Sequence, residues 1–459
     1  MHRLIRRRLP RLVLFLLILA VPVAARAQRL SIQGDRFAID DKPKFLVFIS
    51  YFAAMNAVNP TADLKYLRSK GFDGVRIWPN LNTGPVQLMR ADGSLTPDGL
   101  STLKFILDRA RDERLVVDVS FTAEHIRGLD AARFRDGILA TTAELCDYDN
   151  LLFDIQNETN VYGPFGRALP ASDVIAIRSG IKSIHASRIV TSSISSNDTA
   201  AYTSDFAART GLDVTAYHDP RTSQFHVLSH VQSIVGDLKA NGKPAYLQEP
   251  MPTQYVYYPA SYVSDNYREQ MINAKAVGAA AWCFHTNIQG DRPDALYQAL
   301  IESEPEPERA FVNSLLPRVN LRTSNGVNFV AAEGGGGGDV NADRLGAGPF
   351  ETFTVEVLSG GPIFDGDRVA IRTVDDAHYW HAVSGGGGAL RAIGDRVGAF
   401  ETFVVEKPGG GAVRPGDAVR LRLNDASWYL SAEGGGGGRA MINRPSAGLW
   451  ETFTVLFVR

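Results

Sequence analysis

Two acidic residues stand out for where they fall. The apolar run that opens at Leu151 (Leu-Leu-Phe-Asp-Ile-Gln) stops on Asn157-Glu158, and the run from Ala245 (Ala-Tyr-Leu-Gln) stops on Glu249 before Pro250. An acid that ends a strand-like run is held by the scaffold and offered to a cleft. Glu158 and Glu249 are 91 residues apart, which is three strand-plus-helix units of about 30 residues each, so both would reach one rim of a barrel on facing strands. Facing carboxylates suit the cleavage of a glycosidic bond. One protonates the leaving oxygen, while the other attacks the anomeric carbon or activates water.

The elements that must carry this pair are legible as an alternation. Short β-branched or aliphatic runs begin near Phe45, Gly74, Leu115, Leu151, Ile189, Asp213, Ala245 and Ala279, and longer amphipathic stretches separate them. Strand-like runs that alternate with helical patterns signal βα units and a parallel sheet. Eight of them predict an α/β (β/α)8 TIM barrel over residues 28–312. A doubly wound open sheet is the competitor, but no G-x-G-x-x-G follows the first run and no P-loop occurs.

Residues 302–309 are charged and punctuated by proline, and they read as a domain boundary. Beyond it the grammar changes. Glu-Thr-Phe recurs at Glu351, Glu401 and Glu451, and Val-x-x-Arg recurs at Val319, Val369 and Val419, both with a period of 50. Each unit carries a glycine run, which predicts a turn between short strands. Three units of four strands predict a β-trefoil over residues 313–459. The periodic aromatics Phe329, Trp380, Tyr429, Phe350, Phe400 and Trp450 are expected in its core. Tyr379 and Trp428 sit off that frame and are expected to face outward as candidates for glycan contact. Tyr429-Leu430-Ser431-Ala432-Glu433-Gly434 and Trp450-Glu451-Thr452-Phe453 resemble elements of fascin-like trefoil domains.

A second resemblance covers residues 30–305. Arg76 in the second run, Asn157-Glu158 after the fourth, Tyr217-His218 in the sixth, Glu249 at the seventh and Trp282 in the eighth resemble the cellulase-like retaining enzymes of glycoside hydrolase clan A. The resemblance implies Glu158 as acid/base and Glu249 as nucleophile. It also implies that Asn157 bonds the nucleophile or the sugar 2-hydroxyl, and that Arg76 keeps Glu249 ionised. Tyr217 and His218 are adjacent, so either could reach Glu249. Trp282 is a candidate sugar platform, and Trp78 and His125, just past strand ends, are candidate subsite residues. A catalytically inactive carbohydrate-binding protein on the same scaffold is the alternative, with a poly- or oligosaccharide as partner in either case.

Charge and address complete the reading. The chain has 48 Lys+Arg against 50 Asp+Glu, a balance that demotes nucleic acid as a partner. Residues 1–27 combine five early arginines, an apolar stretch over 12–21 and Ala25-Arg26-Ala27, the pattern of a cleaved secretory signal. Its removal takes six arginines, leaving 42 basic against 50 acidic residues. A secreted or periplasmic monomer without a membrane anchor is expected. Cys146 and Cys283 are expected as free, buried thiols, too far apart in a barrel to bridge. His226 and His230 lie four apart without the H-E-x-x-H acid, so neither a metal nor a cofactor is expected.

Overall fold

The computed structural model describes residues 28–81, 84–220, 222–250, 263–285, 294–304 and 306–458. The expected signal segment lies outside the described residues. Eight parallel strands form one sheet: β1 (Leu46–Ser50), β2 (Gly74–Ile77), β3 (Val116–Ser120), β4 (Leu151–Asp154), β5 (Ile189–Thr191), β6 (Thr215–His218), β7 (Ala245–Glu249) and β8 (Ala281–Phe284). They pair in chain order, and β8 returns to β1. Closure between β5 and β6 comes from a parallel bridge, Ile194 to Tyr217, in which the His218 N–H donates to the Ile194 carbonyl at 3.0 Å. Each of the eight apolar runs in the sequence contains one of these strands.

Seven helices connect the strands: α1 (Pro60–Ser69), α2 (Pro97–Asp112), α3 (Ala131–Glu144), α4 (Ala171–Ile184), α5 (Ala200–Thr210), α6 (Leu228–Leu238) and α7 (Ser264–Ala276). Their starts follow ordinary capping chemistry. Asn59, Thr96, Asp130 and Thr199 each accept an N–H from the first turn, a contact that stabilises a helix by about 1 kcal/mol. Two more helices follow β8, α8 (Tyr297–Ser303) and α9 (Glu306–Asn313). The charged stretch at 302–309 therefore does not break helix throughout. Pro307 sits in the first turn of α9, where its missing N–H has no partner to lose, and Phe311 packs on Trp282 of β8.

Side chains alternate across the barrel wall. Outward positions such as Val75, Val117, Phe153, Tyr217, Leu247 and Trp282 meet the helices in one buried layer. Inward positions at the lower end are apolar, and Phe48, Val116, Leu152 and Tyr246 fill the interior together with Leu30 and Phe37 of an N-terminal hairpin. Gly74 is required there, because a Cβ would lie 2.5 Å from the Phe48 ring. Toward the C-terminal ends of the strands the interior turns polar: Arg76, Asp118, Asp154 and Gln248 are all fully buried.

The rest of the chain is a second domain of twelve antiparallel strands, four per repeat, from Arg318 to Phe457. The first strand, Arg318–Arg322, pairs with the last, Phe453–Phe457, so the three repeats join end to start. Val330, Trp380 and Leu430 lie at equivalent positions in the core, with Phe353, Phe403 and Phe453. Here the expected aromatic core needs correction. Phe350, Phe400 and Trp450 are exposed (44%, 44% and 43%), and Phe329 and Tyr429 are only half-buried. The core frame runs one residue later than the tyrosines suggest. Tyr379 is half-buried with its hydroxyl on Glu356, and Trp428 packs partly against the core. The glycine runs are turns: Gly334 to Gly337 all take positive φ, as do Gly434 to Gly437.

The two domains touch through Lys275 of α7. Its ammonium bonds Asp367 at 2.8 Å and the carbonyls of Gly360 and Pro362 at 2.7 Å each. Glu269, one and a half turns earlier, pairs with Arg414. Neither cysteine is bridged; Cys283 is buried as expected, but Cys146 is exposed, because it follows the end of α3 at the surface.

Candidate active site

The polar end of the barrel is organised by one guanidinium. Arg76, on β2, is fully buried, and its Nη1 donates to Glu249 Oε1 at 2.7 Å. Its Nη2 donates to Asn157 Oδ1 at 2.6 Å, and its Nε donates to Ser120 at 2.8 Å. Asp154 and Asp118 stand 3.5 and 3.7 Å away. Burial opposes the charge on Arg76, but Glu249, Asp118 and Asp154 outweigh it and hold the guanidinium above its ordinary range. Asp118 shows the converse effect. Burial, resisted by Arg76 and reinforced by Asp154, pushes its carboxyl up to about 6.

Glu158 and Glu249 meet at the mouth. One oxygen from each carboxylate and a ring nitrogen of His218 all lie within 4.8 Å of one another. Glu158 follows β4 with φ +50°, a left-handed conformation unusual for a side-chain-bearing residue. Its N–H donates to Ser193 Oγ at 3.0 Å, one of the contacts that hold the turn. Glu249 reaches the cluster through a bulge in β7. The register with β6 skips from Leu247 to Glu249, so Gln248 is the extra residue, and both Gln248 and Glu249 serve the interior.

Gln248 links the buried acids to His218. Its Nε2 donates to Asp118 at 2.7 Å and to Asp154 at 3.2 Å, which leaves its Oε1 facing His218 Nε2 at 3.1 Å. An amide oxygen only accepts, so the Gln248 contact calls for hydrogen on His218 Nε2, while Arg76 Nη2, which only donates, stands 3.4 Å from the same nitrogen. The other ring nitrogen, Nδ1, lies 2.9 Å from Glu158 Oε1. That contact is a hydrogen bond between the imidazole and the carboxyl group.

His285, just past β8, completes the rim. Its Nε2 stands 3.3 Å from Glu249 Oε2 and its Nδ1 2.8 Å from Ser50 Oγ. Beside it, Phe52 and Trp78 stack at 4.4 Å with rings 2° from parallel, and Arg76 lies over the Trp78 ring. Trp78 Nε1 also donates to Asn157 Oδ1 at 3.3 Å.

The fold thus brings together Arg76, Trp78, Asn157, Glu158, His218 and Glu249. Three expected site residues fall elsewhere. Trp282 points outward from β8, donates its Nε1 to Gln270 on α7 and packs on Phe311. Tyr217 also points outward, its hydroxyl on the Asp198 carbonyl. Between the two adjacent candidates of β6, His218 is the one that faces Glu249. His125 pairs with Glu124 at the edge and joins no contact with this cluster. His230 bonds Asp219, away from His226. Asp118, Ser120, Gln248, His285 and Phe52 were not anticipated. For the four polar ones the signal was alternation, polar residues at every second place in or just past otherwise apolar runs; Phe52 carried no such signal.

No known protein family matches the chain, and no curated protein does. Solved structures do. A chain described as a glycoside hydrolase aligns over 94% of this chain and 96% of its own, with 11% identity and a TM-score of 0.50. An endo-1,4-β-mannanase from Eisenia fetida aligns over 62% of this chain and 94% of its own at 16% identity, TM-score 0.45. A β-mannanase from Thermomonospora fusca aligns over 62% and 95% at 15% identity, TM-score 0.45. At these identities the likeness of the first concerns the fold, across both domains.

Proposed function

We propose that the chain is a retaining β-glycoside hydrolase, with Glu249 as nucleophile and Glu158 as acid/base. The observation that carries this reading is the pair of carboxylates at the barrel mouth, with oxygens within 4.8 Å. Retaining enzymes hold their carboxyl groups about 5–5.5 Å apart, whereas inverting ones leave roughly 6.5–9.5 Å for a water. The environments are also unequal in the required sense. Arg76 and His285 both face Glu249 and favour its anionic form, ready to attack an anomeric carbon. Glu158 instead hydrogen-bonds the His218 ring, a partner that can be neutral, whereas the Arg76 guanidinium beside Glu249 is always charged.

In the first half-reaction Glu249 forms a bond to the anomeric carbon as the glycosidic C–O bond breaks, and the Glu158 proton passes to the leaving oxygen. In the second, Glu158 takes a proton from water, which attacks the same carbon and releases Glu249. The stacked Phe52–Trp78 pair supplies an apolar wall beside the reacting centre, suited to the C–H face of a pyranose. The repeat domain reads as a β-trefoil that holds the enzyme on a polysaccharide, raising the local substrate concentration. The N-terminal segment would export the chain as a monomer.

The test uses oligosaccharides of β-1,4-linked mannose and of β-1,4-linked glucose. Glu158→Gln is expected to lower kcat by about 10² to 10⁴, the usual worth of general acid catalysis. Glu249→Gln is expected to lose at least as much. A 2-deoxy-2-fluoro glycoside with a good leaving group should add one sugar mass to the wild type, on the peptide carrying Glu249. Wild-type inertness toward every β-linked hexose substrate, with sugar binding retained, would favour the binding-protein reading instead.

A further inference from the structure

The three repeats of the second domain are near-copies, so a place where one departs from the other two is informative. In the first, Arg344 pairs with Glu333 and lies 3.8 Å from Glu351; in the third, Arg444 pairs with Glu433 at 3.1 Å and lies 3.7 Å from Glu451. With the 50-residue period, the second repeat has Gly394 for that arginine and Val383 for the glutamate. The ion pair is deleted as a unit. His381 stands where the others have Ala331 and Ser431, and its Nδ1 takes up the partner role toward Glu401.

What remains constant shows that the change is not general erosion. Glu351, Glu401 and Glu451 each accept the N–H of the glycine three residues earlier, at 2.8, 2.9 and 2.7 Å. The backbone turn is therefore the same in all three repeats. Where the arginine is missing, the second repeat has a cavity of about 370 Å³, lined by His381, Asp395, Arg396, Phe400 and Glu401, among others. That is near the small end of ligand pockets, which run from about 300 to 1,000 Å³.

We propose that this cavity of the second repeat is a saccharide-binding site; the proposal rests on the reading of the repeat domain as a carbohydrate-binding module. The chemistry favours a neutral polyol. Phe400 is 44% exposed at the cavity wall and can stack on the C–H face of a pyranose. Arg396 faces the same space as Asp395 and Glu401, so a strongly charged ligand of either sign would meet repulsion, while hydroxyls can both donate and accept. The His381 ring packs edge-on to Phe400 at 5.8 Å and holds it in place. In the third repeat it is Arg444 that lies over the corresponding Trp450 ring, at 5.6 Å.

Hydrogen exchange by mass spectrometry can localise the event, with the full chain carrying Glu249→Gln and mannohexaose or cellohexaose as probe. The expected result is slowed exchange at 393–401, with little change at 343–351 and 443–451. The triple change His381→Ser, Val383→Glu and Gly394→Arg gives the second repeat the residues of the third; a Cβ at Gly394 meets Glu401 Cγ at 2.8 Å, and removing His381 frees the Glu401 side chain to make room. It should keep the melting temperature and lose the protection. Phe400→Ala should lose it too, whereas Phe350→Ala should not. Protection in the first or third repeat but not the second, or protection that survives the triple change, overturns this inference and leaves the module reading standing. Absence of protection anywhere in 318–457 with either sugar overturns both.

Discussion

Arg76 brings a single guanidinium against Glu249, Asp118 and Asp154, so the carboxylates it does not fully neutralise must keep protons or lose stability. Asp118 is where this is measurable. Folded, it titrates at about 6, against 3.8 for the unperturbed group, so between those values the folded chain binds the extra proton. Unfolding free energy must then fall as pH rises from about 4 to 6. Asp118→Asn removes that titration. Its stability relative to wild type should therefore improve by up to about 3 kcal/mol between pH 4 and pH 7 in urea unfolding of the barrel. A difference that stays flat across this range would mean that Asp118 is ionised throughout.

At the scale of elements, alternation along a strand decides which residue reaches the site. On β8, Cys283 faces the interior, so Trp282 and Phe284 must face the helices and His285 must turn back to Glu249. Trp282→Phe should cost about 1–3 kcal/mol through the lost bond to Gln270 and lost packing, and leave kcat and KM within about twofold. A many-fold rise in KM would restore it as a sugar platform. The carboxylate pair was legible in the sequence because both acids end apolar runs. The supporting polar layer was legible in principle from the period of two, as Asp118 and Ser120 fall in step on β3. The bulge at Gln248 was not. A one-residue register shift depends on the neighbouring strand and leaves no mark in its own run. Nor did the repeat period say which residue of Phe329-Val330 or Tyr429-Leu430 faces inward; the packing of Val330, Trp380 and Leu430 fixes that frame.

For the whole molecule, counting units went far: eight runs for eight strands, and three repeats for twelve. The way the domains meet was hidden, because Lys275 sits on an otherwise ordinary helix and its partners come from a loop some 85 to 92 residues on. Lys275 is pulled below its usual range by burial, against the pull of Asp367, and so has little surface freedom. Lys275→Met would take the cation from Asp367, which keeps the bonds from Ser359 Oγ and the Phe364 N–H, and cost roughly 2–4 kcal/mol, somewhat under the figure for a fully enclosed pair. In calorimetry the barrel and repeat domain should then unfold as two separate transitions, further apart than in wild type; unchanged traces would show that the contact does not couple them.

The stereochemistry of the reaction tests the central claim most directly. Proton NMR can follow the anomeric signal of the sugar released from a β-1,4-linked oligosaccharide in the first minutes, before mutarotation blurs it. On the proposed assignment, close carboxyl groups of Glu158 and Glu249, with Arg76 against Glu249, predict that the β-anomer appears first, with α following only as the product equilibrates. An α-anomer at the outset would contradict the covalent route through Glu249 and place a water between the two carboxylates instead.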